Sequence, residues 1–166
     1  MRTRRRIICI VLTLLTLLLD SSVLPFTGLD MRFVPRLCLV AVVLIGTVLG
    51  ATEGIAYGAF AGILLDITVY QPAGLVAVFY TLCGLIAGFL SGRLRPYLVT
   101  VVPLTAAYLF FEIGMAIYVY FTVGTFPASQ LPYAFLRLLV ALFALQLLYL
   151  PAIKLLKPAS IGRARR

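Results

Sequence analysis

The side chains that could carry chemistry are few, and their spacing points away from catalysis. Five acids, Asp20, Asp30, Glu53, Asp66 and Glu112, are scattered over 166 residues, and there is no histidine. A Ser-His-Asp arrangement, a Cys-His pair and any histidine-ligated metal site are therefore excluded. Cys9, Cys38 and Cys83 stand singly inside apolar stretches without CxxC spacing, and they read as small buried apolar residues. A membrane-embedded enzyme acting on lipids would need clustered acids for metal or acid-base work, and these acids form no motif. No cofactor is expected.

The remaining polar residues matter because of where they sit. Glu112 lies near the middle of the apolar run 97–123, where an ionised carboxylate is costly or is protonated instead. It is expected to face other helices, with Gln146, at a comparable depth in the last apolar run, as its hydrogen-bond partner. Three roles stay open for Glu112: a structural hydrogen bond, a solute or proton site, or a contact with a partner. Asp66 follows Gly62 by four residues, so Gly58, Gly62 and Asp66 share one helical stripe. At 1.5 Å rise per residue, Asp66 and Arg137 fall about 6 and 8 Å inside the ends of their runs. Matching depths predict an Asp66–Arg137 contact; the alternative is that each side chain reaches water separately.

These residues must be positioned by apolar helices. The chain is 63% hydrophobic and 11% charged, against roughly 25% charged residues in an ordinary soluble domain. Apolar runs at 7–24, 33–50, 54–70, 74–92, 97–123 and 132–153 predict one domain, an all-α bundle of six transmembrane helices joined by short loops. Residues 33–70 must fold back, since one helix of that length would be about 57 Å long. The polar pair Thr52-Glu53 is the expected turn. Arg2, Arg4, Arg5 and Arg6 before the first run could open a signal peptide, but no small-x-small exit follows it, and a retained span is the favoured reading.

The net charge of +9 does not signal a nucleic-acid binder, because the basic residues flank apolar runs and form no aromatic-interleaved stripe. With six spans, the two terminal clusters and Arg93 and Arg95 fall on one side, and Arg32, Arg36 and Arg137 on the other. The positive-inside rule then places both termini in the cytoplasm. Tyr57, Tyr70, Tyr80, Tyr97, Tyr120 and Tyr133 mostly fall near the expected span ends. Pro103 marks either a kink or a late start to its helix.

Glycine recurs every fourth residue at 46, 50, 54, 58 and 62, and again at Gly84, Gly88 and Gly92. Small residues at this spacing let helix backbones approach closely in lipid. Internal packing is the favoured use, and a face reserved for a partner helix is the other. On the second reading, leucine at Gly84 and Gly88 would weaken partner binding while the protein still inserts.

The stretch from Tyr57 to Asp66, with Gly74 opening the next run and Gly84, Gly88 and Gly92 closing it, resembles the central signature of the MreD family. That signature is a Gly-x-x-x-Gly-Leu-Leu-x-Asp-like segment, here with Ile63 before Leu64. Gly58, Gly62, Asp66 and Gly74 carry the pattern, and length, basic N-terminus and basic tail agree over essentially the whole chain. The resemblance implies a non-enzymatic membrane scaffold for cell shape and lateral peptidoglycan synthesis. Its implied partners are the single-span protein MreC, other elongasome components such as the wall synthases and the actin-like filament, and membrane lipid. It also implies an architecture resembling the substrate-binding subunits of energy-coupling-factor transporters. A solute-binding subunit of a vitamin-type transporter is therefore the alternative function, although the chain has neither Trp, His nor Asn to line a polar solute site.

Overall fold

The computed structural model describes residues 2–20, 36–68, 74–94, 98–99, 101–124 and 131–156, and within these it is all helical. The helices are α1 (Arg2–Leu18), α2 (Leu37–Leu49), α3 (Ala51–Thr68), α4 (Leu75–Ser91), α5 (Val101–Val123) and α6 (Leu131–Leu156). Asp30, Arg32, Tyr70, Arg95, Tyr97 and the basic tail from Lys157 onward lie outside the described residues, as does most of each loop expected at 20–32, 71–73 and 124–131.

The organising element is α2. Its sequence, LCLVAVVLIGTVL, is apolar on every face, and every residue from Cys38 to Val48 is buried. A helix without a polar face has to be surrounded, and α2 touches all five other helices. Those five close a ring around it in the order α1, α3, α4, α5, α6, with α6 returning to α1. The ring is closest between α3 and α4 and thinnest where α6 meets α5 and α1.

The fold-back expected at Thr52-Glu53 occurs two residues earlier. Gly50 alone separates α2 from α3, with φ of 106°, a left-handed conformation that favours glycine. Thr52 and Glu53 belong to the first turn of α3, where an acid is favourable beside the unsatisfied N–H groups. The fifth helix starts at Val101, four residues after the expected start. Pro103 sits in its first turn, where no intrahelical N–H bond is lost, so a late start is the outcome.

The glycine ladders hold α2, α3 and α4 together. An added methyl would stand 2.9 Å from the Gly84 carbonyl oxygen at Gly46, and 2.5 Å from that of Tyr80 at Gly58. At Gly62 it would collide with Ala77, at Gly84 with the Gly54 carbonyl, and at Gly88 with Ala51. The partners run in opposite order along the two helices, so α3 and α4 are antiparallel at backbone contact. Gly92 differs, with nothing nearer than 3.8 Å.

The outward faces of the ring are apolar too. Ile7, Val11 and Leu18 on α1, Ile63 and Ile67 on α3, Val78 and Phe89 on α4, Ile113 and Phe121 on α5, and Phe135 and Phe143 on α6 are all exposed. By length and composition, Val101–Val123 is the one described helix long and apolar enough to cross a membrane, while Arg6–Leu18, Leu37–Leu49, Leu75–Ser91 and Tyr133–Tyr149 are shorter apolar segments.

Candidate functional site

The starts of α2 and α4 are capped by the same device, a carboxylate from the end of the preceding helix. The chain leaves α1 through a wider π turn at Leu19 and Asp20. There the Asp20 carboxylate accepts the N–H groups of Leu37 at 2.9 Å and Cys38 at 2.8 Å, capping α2 from the preceding helix. Asp66, near the end of α3, accepts the N–H groups of Gly74 at 3.1 Å, Val76 at 3.2 Å and Ala77 at 3.0 Å at the start of α4. These donors have no partner inside their own helices, and a carboxylate suits the positive end of a helix dipole. Gly74 supports the turn with φ of 96°.

The charges between α2, α5 and α6 form a second group. Arg137 Nη1 donates to Glu112 Oε1 at 3.4 Å, and Arg36 Nε lies 3.9 Å from the same oxygen. The Arg36 guanidinium also stacks over Phe111, 4.3 Å from the ring centre. Phe111 meets Tyr80 edge to face at 5.5 Å and Phe79 at 5.8 Å, which ties the group to α4. Tyr108, one turn before Glu112 on α5, is buried within electrostatic reach of Glu112, Arg36 and Arg137. Arg36 Nε is buried without a hydrogen-bond partner, and the buried Tyr108 O–H finds no acceptor, although the Arg36 backbone N–H approaches its oxygen.

The sequence-derived residues thus come together in part. Glu112 and Arg137 share one cluster, but their expected partners are replaced. Gln146 is exposed and Glu112 binds arginine instead; the Asp66 carboxylate is engaged by the start of α4 and Arg137 by Glu112. Gly58, Gly62, Gly84 and Gly88 lie in the α3–α4 contact, apart from that cluster. Tyr80, grouped with the span-end tyrosines, is 1% exposed, in the core. Arg36, Tyr108 and the capping role of Asp20 were not legible beforehand. Arg36 had a signal in standing inside the apolar run 33–50, where a cation must find a partner or water. All three cysteines are free and buried, and Cys83 Sγ donates to the Ala107 carbonyl at 3.3 Å. Among the described residues, no group of three or more His, Cys, Asp or Glu comes together to hold a metal ion.

A fully encased apolar helix and an apolar jacket around it define a membrane-associated helical protein. The chain belongs to the MreD family: the family model for rod shape-determining protein MreD matches residues 1–159 of its 166. Its role is accordingly in the determination of rod shape. No curated protein and no solved structure matches the chain, so the likeness to transporter subunits and the vitamin-transport alternative gain no support.

Proposed function

We propose that this chain is a multi-pass protein of the bacterial cytoplasmic membrane, with both termini cytoplasmic, that serves the rod complex as a non-enzymatic scaffold and binds MreC. The observation that carries the membrane reading is the apolar outer face of all five jacket helices. Soluble monomers rarely expose contiguous apolar patches beyond a few hundred Å², whereas lipid accepts such a surface at no cost. Short helices remain compatible with a bilayer where neighbouring helices and local thinning accommodate the mismatch. The partner reading rests on family membership. In that complex the wall synthases and the actin-like filament are further neighbours.

Gly54, Gly58, Gly62, Gly84 and Gly88 are taken up by contact between α3 and α4, so the surface for MreC is proposed to lie outside that contact. Leucine at Gly84 or Gly88 breaks the bundle before it can report on a partner. The scaffold reading is tested by co-expressing MreC from the same host and purifying on a tag carried by this chain in mild detergent. Stoichiometric co-elution that survives washing is expected; its absence, with the chain monodisperse, overturns the MreC assignment.

A further inference from the structure

The Arg36–Glu112 pair is incomplete as built. At 3.9 Å, Arg36 Nε is beyond hydrogen-bond range of Oε1, and Oε1 already accepts from Arg137. Two buried donors, Arg36 Nε–H and Tyr108 O–H, therefore lack an acceptor in one neighbourhood, which is costly in a medium without water. Tyr108 is 1% exposed, so bulk solvent does not satisfy it. The missing group is an oxygen acceptor, and the guanidinium fork selects for a phosphate or carboxylate.

The cluster also has an approach. The Arg36 side chain is 34% exposed, against 19% for Glu112 and 11% for Arg137. Beside it, Ile113 and Ile117 on α5 and Leu136 and Leu139 on α6 are exposed. No residue of α5 beyond Phe111 is fully buried; Gly114 and Met115 still pack on Phe79 and the core, and the helix is exposed throughout from Tyr120 to Val123. A charged cluster with a part-exposed guanidinium beside bare apolar helix faces matches an amphiphile, with its anionic head at Arg36 and hydrocarbon along α5 and α6.

We propose that Arg36 and Tyr108, braced by the Glu112–Arg137 pair, form a seat for the phosphate of an anionic membrane lipid whose acyl chains lie along α5 and α6. The phosphate oxygens accept from the Arg36 guanidinium and the Tyr108 hydroxyl, while Glu112 stays with Arg137. The cluster carries a single carboxylate, so a singly charged phosphodiester suits it better than a dianionic phosphomonoester. The proposal rests on the membrane reading above, which alkaline carbonate extraction of the full chain from membranes tests separately.

The test uses the full-length protein, delipidated in detergent. Native mass spectrometry counts bound phosphatidylglycerol, and thermal unfolding reads its effect against inorganic phosphate at equal concentration. One phosphatidylglycerol per chain and a raised Tm are expected, with retention at least ten-fold weaker in Arg36→Gln and Tyr108→Phe. Tyr108→Phe removes a single hydroxyl, so it keeps the test sound should Arg36→Gln fold poorly. Equal retention by the wild type and a folded Tyr108→Phe variant overturns the seat. Equal protection by inorganic phosphate overturns the lipid as its source. Full stability without either, with no lipid bound, assigns the two donors to internal water and overturns the proposal. MreC capture by the same preparations reads the scaffold role independently.

Discussion

Glu112 lies between two guanidiniums, with Arg137 the nearer at 3.4 Å. Removing one partner of a mostly buried pair leaves the other charge uncompensated, which costs more than the pair itself contributes. Glu112→Gln and Arg137→Gln should each lower stability by about 1–3 kcal/mol, and the double variant by clearly less than their sum, a coupling of about 1 kcal/mol. Thermal unfolding in detergent of the four proteins closes the cycle; strict additivity would show that the contact contributes nothing. Asp66 is predicted to matter through the three N–H groups it accepts. Asp66→Ala should cost roughly 1–2 kcal/mol, with Asp66→Asn in between because an amide oxygen still accepts; a neutral alanine variant would deny the cap. That Asp66, Glu112 and Arg137 would need polar contacts was legible in the sequence, because charge in an apolar run needs a reason. Their partners were not: depth along a helix is counted in residues, but lateral neighbours depend on the order of helices around α2. Asp66 and Arg137 match in depth, yet Asp66 is drawn to the next helix start in its own connection, and Arg137 to the helix beside its own.

At the scale of elements, the four-residue glycine spacing specified a close helix pair, and α3 against α4 is that pair. What spacing alone left open was which helices fill the groove and whether anything remains for a partner. The answer lies in the antiparallel register, which puts Gly84 on Gly54 and Gly88 on Ala51. Gly84→Ala should therefore destabilise by at least about 2–3 kcal/mol, since the methyl meets backbone that moves only if the helices separate. Gly92→Ala is the control: Gly92 is in ordinary right-handed conformation with open space around it, and its change should stay within about 0.5 kcal/mol. Tm in detergent and accumulation in membranes give both readings; equal effects at the two sites would remove the register from the explanation. The α2–α3 hinge shows why boundaries were less legible than elements. A polar pair looks like a turn, but one glycine at positive φ reverses the chain in less space, and Thr52-Glu53 is accommodated in the first turn of the following helix.

For the whole molecule, composition and the sixfold apolar pattern announced a helical bundle, and the central position of α2 follows from the helix Leu37–Leu49 carrying no polar side chain beyond Thr47. In the proposed orientation, maleimide added from outside the cell should label Val123→Cys, at the exposed end of α5, and should label Arg93→Cys, beyond α4, only after permeabilisation. The native cysteines are buried and give a low background. Labelling of both from the same side would reverse or abolish the six-span topology. The encasement of α2 also has a consequence for biogenesis. This segment leaves the ribosome early, but one flank of its lasting enclosure, α6, is made after the other described helices. Until then it must wait in lipid or against the insertion machinery, which a helix with no charge and a single hydroxyl can do without exposing a polar group. A nascent chain arrested before α6 would carry an uncovered α2 flank, a ready mark by which membrane quality-control proteases could tell an unfinished copy from a finished one.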